Sequence, residues 1–260
     1  MAEATGGAGS YDFPIDLQNL NSVPAQLARH IPAHSRILDI GCASGNLSGF
    51  LIRERGCSVV GVERDPAAAS AAAAKGLDTR VLDLDTSSLA QALQGERFDR
   101  IILADVLEHL LHPAAVLRAA VGLLGPLGQV LVSIPNISHV DVILALLHDR
   151  WEYRDSGLLD RTHLRFFTEA GFRELAASAG VRVRSLHRLT LPPFHTELWA
   201  GAPRPPNDAR LHAVVGVASQ LNRNFGVYQF VFVLDRPAHT WAALRSRLRL
   251  ATEPADFAAR

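Results

Sequence analysis

The chain has 260 residues, of which 48% are hydrophobic, so it is long enough to bury one large core. Lys and Arg together number 26, as do Asp and Glu, so the formal net charge at pH 7 is zero. A neutral chain has no overall basic field to attract nucleic acid or anionic lipid, so we expect no nucleic-acid partner and no stable membrane association. The two cysteines, Cys42 and Cys57, are too few for a disulfide scaffold and lack the spacing of a zinc site.

The amino-terminal segment MAEATGGAGSYDF has neither the basic start nor the apolar stretch of a signal peptide. No run of the chain approaches the roughly 18 apolar residues that a membrane span needs. These two features predict a cytoplasmic location. Residues 1–30 are expected to form a cap in which Tyr11 and Asn21 make polar contacts, with a simple tethering helix as the alternative.

The main domain is expected to cover residues 31–236, followed by a tail over residues 237–260. In the tail, Trp241, Leu244 and Leu248 share one helical face with arginines nearby, which permits contact with a membrane surface. A plain carboxyl-terminal helix or a frayed tail is the alternative. The sequence leaves a homodimer open.

Strand-like and helix-like segments alternate through the main domain, which is typical of a parallel sheet with helices on both faces. The predicted strands are, in order, ILDI, CSVVGVE, TRVLDLD, FDRIILAD, GQVLVSI, GVRVRSLHRL and VYQFVFVLD. The predicted helices cover about 46–55, 66–75 and 113–124. Two segments, 136–167 and 192–224, interrupt the alternation and are predicted to cover a pocket. The aromatic residues that could line it are Trp151, Tyr153, Phe166, Phe194 and Trp199.

The first predicted strand runs into a glycine loop, ILDIGCASGNLS. Such a loop commonly holds either the pyrophosphate of a dinucleotide or the amino-acid end of S-adenosylmethionine. The dinucleotide fingerprint needs three glycines, and Ala43 and Asn46 stand where its second and third would be. What is left is Asp39-x-Gly41-x-Ala43-x-Gly45, with an ordinary strand-to-helix turn as the alternative interpretation.

Carboxylates also end the next two predicted strands. Glu63 could accept hydrogen bonds from the ribose hydroxyls of an adenosine, or instead cap the helix that starts near Pro66. A further acid, Asp83, follows the third predicted strand. Because the carboxyl ends of parallel strands meet at one edge of a sheet, these acids are expected to share a ligand with Asp39.

These motifs resemble class I S-adenosylmethionine-dependent methyltransferases. Ala43 departs from the usual acid-x-Gly-x-Gly-x-Gly motif. A large bacterial group of this family is matched by three further segments, FDRIILADVLEHLLHP, LVSIPNISH and WEYRDSGLLDRTHLRFFTEAGF. The resemblance covers roughly residues 15–235. It implies a Rossmann-like, doubly wound α/β sheet of seven strands, mostly parallel with the last strand antiparallel. It also implies S-adenosyl-L-methionine as cofactor and S-adenosyl-L-homocysteine as product. The residues expected to bind the cofactor are Asp39, Gly41, Cys42, Gly45, Glu63, Arg64, Asp83, Leu84, Ala104 and Asp105.

The methyl acceptor is expected to be a small molecule, most simply a hydroxyl of a sugar or secondary metabolite. A hydroxyl must lose a proton, and the candidate bases are His163 in DRTHLRFF and His109 in LEHL, with His139 as a further candidate. Each could instead orient or pack its segment. N- or C-methylation, a nicotinamide-dependent oxidoreductase and a non-catalytic protein of the same fold are the open alternatives.

No metal requirement is expected. Asp105, Asn136 and Asp141 are oxygen donors in the relevant segments, but the sequence shows no tight acidic cluster among them.

Overall fold

The computed structural model describes residues 14–199 and 209–237, and its centre is one seven-stranded sheet. The strands are β1 (Arg36–Ile40), β2 (Ser58–Glu63), β3 (Asp78–Val81), β4 (Phe98–Ala104), β5 (Leu124–Pro135), β6 (Arg182–Thr190) and β7 (Val227–Asp235). Their order across the sheet is β3-β2-β1-β4-β5-β7-β6. β1 to β5 pair in parallel, whereas β7 lies antiparallel to both of its neighbours. The predicted α/β, doubly wound, mostly parallel sheet with an antiparallel last strand is confirmed.

Helices connect the strands and cover both faces of the sheet. They are α1 (Val23–Arg29), α2 (Asn46–Arg55), α3 (Pro66–Ala74), α4 (Leu89–Ala92), α5 (Pro113–Gly122), α6 (Val140–Leu147), α7 (Glu169–Ser178) and α8 (Ala209–Leu221). Local signals fix several ends: the Asp65 side chain accepts a hydrogen bond from the Ala67 N–H at the start of α3, and Gly56 ends α2 in the left-handed conformation. No described helix has the length and apolar character needed to cross a membrane.

The core divides into two layers because successive strand residues point to opposite faces. Leu38 on β1 and Ile101 on β4 belong to the layer that α5 and α7 cover. Ile37 and Ile102, their neighbours along the strands, belong to the layer that contains Leu51 of α2. The central strands are therefore buried on both faces, which explains their continuous apolar sequences.

The two predicted insertions are joined to each other by buried carboxylates. Asp141 accepts hydrogen bonds from the backbone N–H groups of Phe194 (2.7 Å) and Thr196 (3.1 Å) and from the Thr196 hydroxyl (2.7 Å). Glu197 accepts from the Leu158 N–H (2.5 Å) and from the Tyr228 hydroxyl (3.0 Å). Because each carboxylate bridges separate segments, the described parts of 136–167 and 192–224 form one anchored cover.

The aromatic residues of the insertions divide into two groups. Phe194 and Trp199 pack edge to face in a small core of their own, with ring centroids 5.1 Å apart. Trp151, Tyr153 and Phe166 are exposed, and Trp151 contacts each of the other two rings edge to face. Whether any of them touches an acceptor stays a prediction.

Several element boundaries differ from the sequence expectations, most clearly those of β3, α5 and β5. β3 ends at Val81, so Asp83 and Leu84 lie in the turn that follows and not in the strand. α5 stops at Gly122, and β5 begins at Leu124 because Leu124 already pairs with Phe98 before a register shift.

The predicted domain boundaries at residues 30 and 236 stay predictions. Asn21 is described, and it exchanges two hydrogen bonds with the backbone of Thr190. Tyr11 and the tail residues Trp241, Leu244 and Leu248 lie outside the described residues.

Candidate active site

The glycine loop after β1 packs tightly against the segment that follows β4. Gly41 has φ +71° and Gly45 has φ +75°, a region that favours glycine. A Cβ atom at Gly41 would lie 2.5 Å from Cγ2 of Val106. Ala43, the departure from the motif, also adopts a positive φ of 47°. The loop therefore places backbone without side chains at the point where the strand order reverses between β1 and β4. Open α/β sheets bind their ligands at this point.

Asp39, near the end of β1, holds the start of α2 across the loop. It is buried, and its Oδ2 accepts a 2.6 Å hydrogen bond from the Ser48 hydroxyl. Burial raises the pKa of Asp39 to about 6, partly offset by the Ser48 bond. Cys42 points its thiol towards Gly61, where a Cβ would lie 2.8 Å from the sulfur, and burial raises the pKa of that thiol. Cys42 can therefore offer a ligand its backbone but not a thiolate.

Glu63 links the end of β2 to the glycine loop. Its Oε2 accepts from the Ala43 N–H (3.0 Å), and its Oε1 accepts from the N–H groups of Arg64 (2.7 Å) and Asp65 (2.9 Å). The carboxylate thus orders both the loop and the turn before α3, while the capping bond of α3 itself comes from Asp65. A carboxylate has about four acceptor positions, so these three bonds leave room for a ribose hydroxyl.

The turn after β3 offers backbone and a carboxylate beside this loop. The Leu82 N–H donates to the Glu63 carbonyl (2.9 Å), and Oδ1 of Asp83 accepts from the Asp85 N–H (3.0 Å). The side chain of Leu84 packs against the core, which leaves its backbone as the available contact. The structure thus brings Asp39, Glu63 and the Asp83 turn to the ends of three neighbouring strands.

Asp105 marks the end of β4, one residue after Ala104. It has φ +54°, its N–H donates to the Ser133 carbonyl (3.2 Å), and its Oδ1 accepts from the Ser133 hydroxyl (2.8 Å) and the Gln229 amide (2.5 Å). These bonds tie β4 to β5 and β7. Sequence reasoning selected Ala104 and Asp105 but missed Ser133 and Gln229, since Gln229 is 124 positions away along the chain.

Glu108, His109 and His163 form a second cluster immediately beyond Asp105. The imidazole rings of His109 and His163 pack edge to face with centroids 4.8 Å apart. The backbone carbonyl of Glu108 accepts from the N–H groups of Leu164 (2.8 Å) and Arg165 (3.0 Å), which holds the DRTHLRFF segment against this turn. The two candidate histidines, 54 positions apart in sequence, therefore lie side by side.

Two members of this cluster, Glu108 and His163, have buried polar atoms without hydrogen-bond partners among the described residues. Both carboxyl oxygens of Glu108 and Nδ1 of His163 make no hydrogen bond. His109, in contrast, is held by the Thr162 hydroxyl (3.0 Å) and the Thr162 carbonyl (3.2 Å) through its Nδ1. Buried unpartnered groups are costly and commonly mark functional sites. Sequence reasoning missed Glu108, although it adjoins the selected His109.

Burial sets the ionisation of the cluster. It raises the pKa of Glu108 well above the usual range, and the charge of Asp105 adds to that shift. Burial also lowers the pKa of His163, with a further lowering by His109 that Asp160 and the Leu158 backbone oppose. At neutral pH the His163 imidazole is therefore uncharged, and one of its ring nitrogens can accept a proton.

The same cluster has donors that suit a divalent cation. Glu108, His109 and His163 each offer one ligand atom, and the three atoms lie within 4.8 Å of one another. Two of the oxygen donors considered from sequence have partners elsewhere: Oδ1 of Asn136 accepts from the Ser138 N–H and hydroxyl, and Asp141 accepts from the Thr196 hydroxyl. The expectation that no metal is required stays a prediction.

Comparison with known proteins assigns the chain to a family. A family profile described as "Methyltransferase domain" matches residues 17–186, which is more than half of the chain. Together with the seven-stranded order and the carboxylate-lined edge, this match shows that the chain belongs to the methyltransferase-domain family. It is an S-adenosylmethionine-dependent methyltransferase of class I.

Curated relatives of the chain are also named as methyltransferases. The chain is 26% identical over 170 residues to the "Ubiquinone biosynthesis O-methyltransferase" of Aeromonas salmonicida, covering 64% of this chain and 71% of the relative. It is 29% identical over 168 residues to the protein of that name from Pseudomonas entomophila, covering 62% and 71%.

Solved structures share the fold. A SAM-dependent methyltransferase from Archaeoglobus fulgidus has a TM-score of 0.57 and 18% identity, covering 82% of this chain and 92% of that one. The [4+2]-cyclase SpnF has a TM-score of 0.56 and 16% identity, covering 85% and 82%. Magnesium protoporphyrin IX methyltransferase from Synechocystis, with bound SAH, has a TM-score of 0.51 and 16% identity, covering 85% and 83%.

Proposed function

We propose that the chain transfers the methyl group of S-adenosylmethionine to a hydroxyl of a small organic molecule, a sugar or secondary metabolite, with His163 as the base. The observation that carries the proposal is the buried, unpartnered Nδ1 of a neutral His163 beside the ligand edge of the sheet. The names of the curated relatives, which are O-methyltransferases, support transfer to oxygen.

The cofactor would lie along the carboxyl ends of β1 to β4. The bare backbone of Gly41 and Gly45 would pass close to its amino-acid end, with Asp39 fixing the loop. Glu63 would accept from the ribose hydroxyls, and the Asp83–Leu84 turn would contact the adenine. Each of these groups binds and orients; none takes part in the chemical step.

Methyl transfer needs the acceptor oxygen in line with the methyl group and the sulfur. As the new O–C bond forms, the C–S bond breaks and its electron pair returns to sulfur, which leaves S-adenosylhomocysteine. The acceptor proton would pass to Nδ1 of His163. The protein's main contribution is to hold the reactants at near-attack distance and exclude water, and proton removal by a placed base adds about 10² to 10⁴ in rate.

A cavity of about 360 Å³ beside Asp105 is a suitable place for the acceptor. Gln229 lies in its wall and bonds Asp105, which connects the cavity to the end of β4. His163 is not part of that wall, so the acceptor would extend from the cavity past Asp105 to bring its hydroxyl to the imidazole. The lining of the cavity is mostly polar: Asn21, Val23, Leu189, Thr190, Leu191, His195, Thr196, Glu197, Tyr228 and Gln229. A small polar cavity under the anchored insertions suits a compact hydroxylated acceptor better than a polymer.

The test compares His163→Ala with His112→Ala. His112 is an exposed histidine three positions after His109. If His163 takes the proton, its variant should lose at least about 10²-fold in kcat while its affinity for S-adenosylhomocysteine is unchanged. His112→Ala should keep normal activity. The wild-type rate should rise with pH through one ionisation below the ordinary histidine pKa, because burial lowers the pKa of His163.

Near-normal kcat in His163→Ala would contradict the assignment. That result is expected for an amine acceptor, since a neutral nitrogen lone pair needs no base. Loss of cofactor affinity together with activity would show that His163 shapes its segment, and the base would then be sought at His109 or His139. Absence of methyl transfer with intact cofactor binding would favour a non-methylating use of the fold, for which the cyclase SpnF is a structural precedent.

A further inference from the structure

A cleft of about 530 Å³ lies at the amino-terminal edge of the sheet, opposite the site described above. We call it the arginine cleft; it is lined by Arg29, His30, Ile31, Pro32, Ala33, Arg55, Arg100 and Gln129. Three of its lining residues are arginines and none is acidic. Arg100 lies near the start of β4, and Asp105 directly follows the end of that strand. Five residues of extended chain span roughly 16 Å, which is the distance between the cleft and the cofactor edge.

Backbone carbonyl groups hold the arginines in place. Arg55 donates to the carbonyls of Ala28 and Ile31 at the end of α1, and Arg100 donates through Nε to the His30 carbonyl (2.9 Å). Arg29 donates through Nε (3.3 Å) and Nη2 (3.0 Å) to the Leu17 carbonyl. Carbonyl groups fix the guanidinium planes but do not neutralise their charge.

Acidic groups of the described chain do not fully compensate this charge. Within residues 14–199 and 209–237, none of Arg29, Arg55 and Arg100 forms an ion pair with a carboxylate. Asp99, which neighbours Arg100 in sequence, uses its carboxylate to accept the Arg36 N–H (2.8 Å) and does not line the cleft. Among the described acidic groups, Asp99 acts on Arg100 through its charge without forming an ion pair, so the positive charge of the arginine cleft is offset only in part.

The positive charge of these arginines also affects two histidines, His30 in the lining of the cleft and His187 next to it. The Nε2 atoms of His30 and His187 are 2.7 Å apart. Burial, His187 and Arg100 lower the pKa of His30, and burial and Arg29 lower the pKa of His187. No carboxylate opposes either shift. At neutral pH both imidazoles are thus uncharged while the guanidinium groups keep their charge.

We propose that the arginine cleft binds a phosphate monoester. Guanidinium groups present planar pairs of N–H donors that match phosphate oxygens, and three arginines line this cleft with no carboxylate in its lining. The apolar backbone turn of Ile31, Pro32 and Ala33 beside them suits the organic part of such a ligand. A soluble phosphorylated metabolite and a lipid phosphate headgroup share this chemistry.

Calorimetric titration with inorganic phosphate and with glycerol 3-phosphate at neutral pH and constant ionic strength tests the proposal. Saturable binding is expected for the wild type. Arg29→Gln and Arg100→Gln should each weaken it by at least about tenfold, the effect of losing a hydrogen bond to a charged group. Arg97→Gln is the matched control, because Arg97 is exposed at the same edge but does not line the cleft. Its affinity should equal that of the wild type.

Thermal unfolding checks that each variant is folded. Arg29 is exposed, so Arg29→Gln carries the test even if Arg100→Gln does not fold. Affinity for S-adenosylhomocysteine should be the same in all variants, which separates this test from that of methyl transfer. Absence of saturable phosphate binding by the wild type, or equal affinities in wild type and Arg29→Gln, would overturn the proposal and leave the arginines as caps of α1.

Vesicle sedimentation distinguishes the two sources of phosphate. Binding to phosphatidylcholine vesicles that depends on added phosphatidic acid, and that Arg29→Gln removes, would identify a lipid headgroup. Phosphate binding in solution without vesicle binding would identify a soluble ligand. Both results support a phosphate site, whereas vesicle binding that is equal in wild type and Arg29→Gln, without phosphate binding in solution, contradicts it.

Discussion

Replacing Gly41 by alanine should disturb the cofactor loop for two separable reasons. The φ of +71° costs an L-residue about 1–2 kcal/mol in the left-handed region. The added Cβ would also lie 2.5 Å from Cγ2 of Val106, and such overpacking costs about 1–3 kcal/mol more. Gly41→Ala should therefore lower the free energy of unfolding by about 2–5 kcal/mol.

Gly180→Ala is the matched control because it isolates the backbone cost. Gly180 has φ +81°, but a Cβ there would have no atom within 4 Å. Its variant should lose only about 1–2 kcal/mol. Urea unfolding of the three proteins measures both losses, with equal m-values required for the comparison. Under conditions where all three are folded, Gly41→Ala alone should bind S-adenosylhomocysteine more weakly.

Equal destabilisation of Gly41→Ala and Gly180→Ala would refute the packing argument. It would mean that Val106 moves away at no cost, so that the loop does not depend on the segment after β4. Unchanged cofactor affinity in Gly41→Ala would further show that the loop backbone does not contact the ligand closely.

Two further predictions concern buried charged groups. Burial alone would raise the pKa of Glu169, but hydrogen bonds from Asn224, Arg188 and Arg173 lower it to about 2. Glu169→Gln should therefore lower the free energy of unfolding by about 3 kcal/mol above pH 5, and this loss should shrink as the pH falls towards 2. A loss that does not change with pH would contradict the prediction. Dialysis against EDTA should leave methyl transfer unchanged, and a loss that Mg²⁺ restores would instead make the cluster around Glu108 a metal centre.

The sequence predicts the sheet well because its signals are local. Continuous apolar runs reveal strands buried on both faces, and Gly41 and Gly45 lie where the turn after β1 requires them. The end of β3 was misplaced because the alternating acids and leucines of VLDLD imitate a strand, while Asp83 in fact accepts a hydrogen bond inside a turn.

The sequence predicts the site only in part, since contacts between distant segments leave no local signal. Glu63 was selected for a ligand, and its bonds to the loop backbone were not foreseen. Glu108 and His163 lie close together because the backbone carbonyl of Glu108 accepts hydrogen bonds from the DRTHLRFF segment. Gln229 reaches Asp105 only because β7 inserts antiparallel beside β5.

Calorimetric titration of S-adenosylhomocysteine into the folded protein is the most direct test of a cofactor site at the carboxyl ends of β1 to β3. Binding with one ligand per chain is expected. Glu63→Gln should weaken it by about tenfold or more, because it replaces a charged acceptor of the ribose hydroxyls, while Glu54→Gln, on the exposed part of α2, should have no effect. Equal affinities in wild type and Glu63→Gln would contradict the ribose assignment, and no binding by the folded wild-type protein would contradict the cofactor site itself.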